Sequence, residues 1–90
     1  MKQQTIKNEI QVKIGKHFKK CRQKLGLSLR ELDSDIGIDY SHIGKIERGE
    51  GNLTIETLAI FIKYYKLQPT ILFKFKLDND FEDYSDKYTR

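Results

Sequence analysis

A chain of 90 residues with 38% apolar and 33% charged side chains is enough for one small domain, and this apolar share excludes a wholly disordered chain. A large active-site cleft covered by a second domain does not fit this length. The net charge is only +4, but residues 1–24 hold eight basic residues against the single acid Glu9, whereas residues 77–90 hold five acids and two bases. This asymmetry predicts a polyanionic partner on one side of the molecule, with a merely solvated helix face as the alternative.

The same sequence argues against several other classes of protein. No apolar run approaches the ~18 residues that a membrane span needs, and residues 1–10 lack the apolar stretch of a secretory signal. One cysteine and two histidines give no intrachain disulfide and no zinc-ligand spacing, so we expect no metal, no cofactor and a reducing, cytoplasmic setting. Asp39, Ser41 and His42 are neighbours on one predicted helix and cannot meet as a catalytic triad, so we expect no enzyme.

The first predicted helix follows a polar segment, residues 1–9, that we expect to be flexible. Its apolar residues recur in steps of three and four, which predicts one buried face. Gly26 is placed to end it with a left-handed cap. The residues of this face are Ile10, Ile14, Phe18, Cys21 and Leu25.

Three further helices have clear start signals. Ser28 and Glu31 form a predicted capping box for a helix over 29–36 that ends at Gly37. Asp39 and Thr54 are the predicted caps of a third helix over 40–48 and of a fourth helix, whose apolar residues are Ile55, Leu58, Ala59, Ile62 and Tyr65.

The C-terminal part is less regular. Pro69 suits the first turn of a fifth helix that reaches Lys74. The alternation of apolar residues over 71–77 leaves a strand as the alternative. An acidic, aromatic tail over 77–90 follows.

The second and third helices, joined by a tight turn at Gly37, have the arrangement of a helix-turn-helix. Such a pair holds its second helix free to enter a major groove of DNA.

Residues 18–67 contain a characteristic set of residues around this turn. The set is Arg22, Leu25-Gly26-Leu27-Ser28, Leu32, Gly37, Ile43, Ile46-Glu47-Arg48-Gly49 and Leu58. Through these residues the segment resembles the Cro and lambda-repressor-like helix-turn-helix regulators, and the segment 52–55 is also similar to the restriction-modification controller proteins of that family. The resemblance implies an all-α, five-helix DNA-binding domain, here over residues 10–76, that binds palindromic operator DNA as a homodimer.

The resemblance also implies which residues touch DNA. Tyr40, Ser41 and Lys45 match the family's base-reading positions, and Lys45 suits guanine acceptors. Arg22 and Glu47 match positions that often form an ion pair. The candidates for contact with the DNA backbone are Lys16, Lys20, Arg22, Ser28 and Arg48.

Two positions depart from the family pattern. Leu29 replaces a glutamine that helps to position DNA, and Asp33 replaces a small alanine where the two helices cross. Asp33 is compatible with a tight crossing if its carboxylate finds a donor such as a backbone N–H. Gly44, in mid-helix, is interpreted as allowing close approach of the backbone to DNA.

Two other functions remain open at this point. The protein is alternatively an antitoxin whose tail, residues 77–90, binds a protein partner, or a protein-interaction domain that does not bind DNA. We expect the aromatic residues Phe61, Tyr64 and Tyr65 to contribute to the core and to a dimer surface rather than to stack on bases.

Overall fold

The computed structural model describes the backbone of residues 2–74 and the side chains of residues 6–74. Within this part the chain is helical and contains no strand. The elements are α1 (Lys2–Lys24), α2 (Leu29–Ile36), α3 (Tyr40–Glu47), α4 (Ile55–Tyr65) and a 3₁₀ helix (Pro69–Phe73). The predicted tail, residues 77–90, lies outside the described residues.

The start signals read from the sequence are confirmed for α2, α3 and α4. Ser28 Oγ accepts from Glu31 N at 3.0 Å while Ser28 N donates to Glu31 Oε1 at 2.8 Å, which completes the capping box. Asp39 and Thr54 cap α3 and α4. Gly37 ends α2 at φ +73°, a left-handed conformation that glycine adopts without a steric cost.

One predicted boundary was wrong, and one predicted helix is of a different type. α1 begins at Lys2, eight residues before Ile10, so residues 2–9 are helical. The segment after Pro69 forms a 3₁₀ helix of five residues rather than a fifth α-helix. The first difference arises because polar residues such as lysine and glutamine are good helix formers and need no apolar face to continue a helix.

The core lies where all five elements meet. Its buried apolar residues come from every element, and the rings of Phe18 and Phe61 stack at its centre with centroids 4.6 Å apart. On α4 the sequence placed Ile55 on the buried face, but Ile55 is 79% exposed, whereas Leu58, Ile62 and Tyr65 of the same predicted face pack against the core. Leu25, placed on the buried face of α1, is 57% exposed. The core residues are Ile14, Phe18, Leu32, Ile43, Ile46, Phe61 and Leu72.

α1 crosses the C-terminal end of α3 with backbone close to backbone. A Cβ atom at Gly15 would lie 2.3 Å from the carbonyl oxygen of Ile46, and one at Gly49 would lie 2.7 Å from Cα of Val12. Only glycine fits at either position. The helical pattern does not predict this role of Gly15, because a glycine inside such a pattern does not indicate which element crosses the helix there.

Gln11 fastens the same crossing to the loop between α3 and α4. Its buried side chain donates to the carbonyl of Gly51 at 2.8 Å and accepts from Leu53 N at 3.4 Å. Lys7, one turn earlier, donates to the side-chain oxygen of Asn52. These contacts give the N-terminal turns of α1 a tertiary partner that the apolar pattern does not reveal.

Replacing Gly15 tests the close crossing. Gly15→Ala should lower the free energy of unfolding by roughly 1–3 kcal/mol, because the added methyl group meets rigid backbone. Gly44→Ala is the matched control, since a Cβ there meets only side chains, the flexible end of Arg48 at 3.2 Å and Cδ1 of Leu29 at an ordinary contact distance of 3.7 Å. Alanine also favours the helix by up to about 1 kcal/mol. Urea unfolding of both variants measures the difference. Equal stabilities would contradict the crossing.

Candidate nucleic-acid interface

α2 and α3 pack against each other through Leu32 and Ile43, both fully buried. Ile36 and Ile38, on either side of Gly37, are half-buried against the same cluster. This packing fixes the angle between the two helices and leaves the opposite face of α3 in solvent. α3 has eight residues, too few to be stable alone, so its position depends on these contacts.

Two carboxylates hold the N-terminal end of α3. Asp39 Oδ2 accepts from Ser41 N at 3.0 Å, and Asp33 Oδ2, on α2, accepts from Tyr40 N at 2.9 Å. The departure at Asp33 is therefore accommodated by the backbone donor that it required. Hydrogen bonds from the hydroxyl and amide of Ser41 lower the pKa of Asp39. Both negative charges lie at the positive end of the α3 dipole.

The three base-reading candidates lie together on the exposed side of α3. Tyr40, Ser41 and Lys45 are exposed, whereas Ile43 and Ile46 on the other side are buried. The hydroxyl of Ser41 donates to Asp39. In this conformation the hydroxyl of Ser41 has only its oxygen lone pairs free. It can therefore accept a hydrogen bond from a nucleobase but cannot donate one.

Arg30 also belongs to this surface, although neither helical spacing nor the family resemblance predicted it. Its guanidinium carbon lies 4.3 Å from the centroid of the Tyr40 ring, and Nη2 donates to the Tyr40 hydroxyl at 3.3 Å. This cation–π contact restricts the ring and places a positive charge beside the start of α3. The contact between Arg30 and Tyr40 depends on the angle between α2 and α3, which the sequence does not give directly.

Gly44, interpreted from the sequence as a point of close approach to DNA, is covered by protein side chains in this structure. It is buried, and a Cβ atom there would lie 3.2 Å from Nη1 of Arg48 and 3.7 Å from Cδ1 of Leu29. In the free protein Gly44 thus lies beneath two protein side chains. Arg48 also pairs with Glu50, with Nε and Oε2 3.1 Å apart on the surface.

Arg22 and Glu47 form a bidentate ion pair between α1 and the end of α3. Arg22 Nε and Nη2 donate to the two carboxylate oxygens at 2.8 and 2.9 Å, and Nη1 donates to the carbonyl of Leu27 at 2.8 Å. The side chains are only 12% and 4% exposed. The hydrogen bond with Glu47 raises the pKa of Arg22. Because all three guanidinium nitrogens are engaged, the geometry favours the structural role of Arg22 over its predicted phosphate contact.

Two of the residues predicted to contact the DNA backbone, Lys16 and Lys20, lie away from the exposed side of α3. Gly15 faces α3, and at about 100° per residue Lys16 and Lys20 lie about 100° and 140° around α1 from it. Both lysines line a pocket beside the 3₁₀ helix instead. The structure therefore does not bring them to the exposed side of α3, whereas Ser28 and Arg48 lie at the ends of α2 and α3.

The remaining reactive residues stay apart. Cys21 is half-buried, and burial raises the pKa of its thiol, which opposes formation of a reactive thiolate. Among residues 2–74, no three histidine, cysteine or acidic side chains are grouped so that they could hold a metal ion.

The family model described as helix-turn-helix matches residues 18–72, which is more than half of the chain. The chain belongs to the Cro/lambda-repressor-like helix-turn-helix family. This is a family of DNA-binding regulatory domains, and the matched residues run from the core of α1 through the 3₁₀ helix. Comparison with curated proteins and with solved structures gives no match. No helix within the described part of this helix-turn-helix protein is both long and apolar enough to cross a membrane.

The buried ion pair can be tested against an exposed one in the same protein. Glu47→Gln should cost roughly 3–5 kcal/mol of folding stability, because Arg22 is left buried without its counter-charge. Glu50→Gln breaks a pair whose side chains are 57% and 55% exposed and should cost less than about 1 kcal/mol. Thermal and urea unfolding measure both. A small loss in Glu47→Gln would show that the pair does not hold α1 to α3.

Proposed function

We propose that this protein is a sequence-specific DNA-binding regulator that reads an operator as a homodimer through the outward surface of α3. The observation that carries the proposal is that Tyr40, Ser41 and Lys45 are exposed on one side of a short helix whose opposite side is packed into the core. A helix held in this way enters a major groove with its N-terminal residues toward the base edges. Occupancy of the operator would then block or recruit polymerase.

The three side chains offer different chemistry to DNA. Lys45 carries ammonium donors suited to the O6 and N7 acceptors of guanine. Ser41, whose proton is directed at Asp39, presents lone pairs that suit the amino groups of cytosine or adenine. Tyr40, backed by Arg30, presents a ring for contact with a sugar or a thymine methyl group.

Contacts to phosphate would come from the residues that surround this trio. Ser28 caps α2, Arg30 is exposed at its second position, and Arg48 follows the end of α3. Guanidinium groups suit phosphate because they can donate two parallel hydrogen bonds. Such contacts set the position of the protein on DNA, whereas the trio would read the sequence.

Dimerisation would use the C-terminal elements. Ile60 on α4 and Phe73 of the 3₁₀ helix are 39% and 55% exposed, respectively. A two-fold dimer presents two copies of α3 to two half-sites, which doubles the number of base pairs read.

The role of Lys45 is the first test of the proposed function. Duplexes bound by the protein are selected from random DNA, and the affinity of Lys45→Ala is measured for the selected and for an unrelated duplex. The variant should lose roughly 1–3 kcal/mol on the selected duplex and little on the unrelated one.

Lys63→Ala serves as the matched control, because Lys63 is an equally charged, exposed lysine on α4. It should bind both duplexes nearly as the unchanged protein does. An equal loss on both duplexes with Lys45→Ala would make Lys45 a phosphate contact. Failure to bind any duplex at low salt would favour the alternative of a protein-interaction domain.

The dimer is tested by changing one exposed aromatic residue. Phe73→Ser should raise the dimer dissociation constant by about tenfold or more, since it removes an apolar side chain from the proposed contact. Ile55→Ser changes a residue that is more exposed, at the far end of α4, and should leave the constant unaltered. Sedimentation at several concentrations measures both. A monomer at tens of micromolar in the unchanged protein would refute the homodimer.

A further inference from the structure

α1 carries a basic pocket on the side turned away from α3. This lysine pocket has a volume of about 200 Å³ and lies between α1 and the 3₁₀ helix. Its walls include Lys16, His17 and Lys20 from α1, and Ile71, Leu72 and Lys74 from the C-terminal side. Since α3 packs on the other side of α1, these cations have no place in the proposed reading of DNA.

The chemistry of the lysine pocket suits carboxylates. Lys16, Lys20 and Lys74 are exposed cations brought to one cavity, and their mutual repulsion falls when an anion binds between them. Nε2 of His17 is buried and has no hydrogen-bond partner among the described residues. Ile71 and Leu72 add an apolar wall. The pocket therefore fits an acidic segment that also carries an apolar side chain.

The chain itself supplies such a segment directly after the pocket. Lys74 is the last described residue, and Asp78 follows four residues later, within about 14 Å of extended chain. The acidic segment, residues 78–83, contains four carboxylates around one aromatic ring, in the order Asp78, Asp80, Phe81, Glu82 and Asp83. A tether this short gives an effective concentration in the millimolar range.

We infer that the acidic segment 78–83 docks on the lysine pocket of the same chain. Its carboxylates neutralise Lys16 and Lys20 and so lower the affinity of α1 for polyanions in general. The outward surface of α3 stays uncovered, because it lies on the other side of α1. The inference does not depend on the reading of DNA, and heparin replaces DNA as the polyanion in its test.

The test combines changes in the full-length protein and measures binding of a fluorescent heparin fragment. The tail variant carries Asp78→Asn, Asp80→Asn, Glu82→Gln and Asp83→Asn. The pocket variant carries Lys16→Gln and Lys20→Gln, and the control variant carries Lys19→Gln and Lys63→Gln, which remove the same charge from exposed positions outside the pocket.

If the acidic segment docks on the lysine pocket, the effects of the tail changes and the pocket changes on heparin affinity should not be additive. The tail changes should strengthen heparin binding by ~10-fold in the unchanged and in the control background, because they release two lysines. In the pocket background the same changes should have an effect several-fold smaller. An equal effect in the pocket and control backgrounds would overturn the inference, since only long-range charge would then be acting.

A second measurement separates docking within one chain from docking on a second copy. Isotope-labelled and unlabelled protein are mixed and treated with a carbodiimide, which joins adjacent amines and carboxylates. Links from Lys16 or Lys20 to the acidic segment should join peptides of the same label. Links that mainly join differently labelled peptides would assign the pocket to a neighbouring copy and overturn the inference.

Discussion

The position of α3 depends on the close crossing of α1 over its C-terminal end. Gly15 allows the two backbones to touch, and the buried pair of Arg22 and Glu47 joins the same two helices nearby. An eight-residue helix gains little from its own hydrogen bonds, so its orientation must come from such contacts. A movement of α1 would therefore displace the whole proposed DNA surface, although α1 presents none of the side chains proposed to read bases.

Local signals predicted α2, α3 and α4 well because a cap involves residues only two or three positions apart. The capping box of Ser28 and the caps at Asp39 and Thr54 are examples. The start of α1, the exposure of Ile55 and the stacking of Phe61 on Phe18 were not predicted, since they depend on distant partners. Gln11 meets a loop about 40 residues away, and the stacking partner of Phe61 is Phe18.

In the candidate site, too, features that depend on nearby residues were predicted, and features that depend on tertiary geometry were not. Tyr40, Ser41 and Lys45 follow from helical spacing and the family resemblance, and the same resemblance pointed to Arg22 and Glu47 as a pair. The contact of Arg30 with Tyr40 and the bond from Tyr40 N to Asp33 depend on the angle between α2 and α3. Spacing along the chain does not contain that angle. The surroundings of Gly44 were not predicted for a related reason, as Leu29 and Arg48 approach it only after folding.

The acidic composition of α2 and α3 is consistent with DNA binding once the partners of the acids are known. Asp33 and Asp39 bind amides at the start of α3, and Asp35 accepts from the hydroxyl of Tyr64 at 2.5 Å. Asp33 and Asp39 stabilise the start of α3, whereas Asp35 joins α2 to α4. They also have a consequence for binding, because a phosphate approaching the start of α3 would meet Asp39. In the proposed complex, phosphate contacts would therefore lie to either side of α3, where Arg30 and Arg48 supply exposed guanidinium groups, and Arg48 would exchange its pairing with Glu50 for the phosphate.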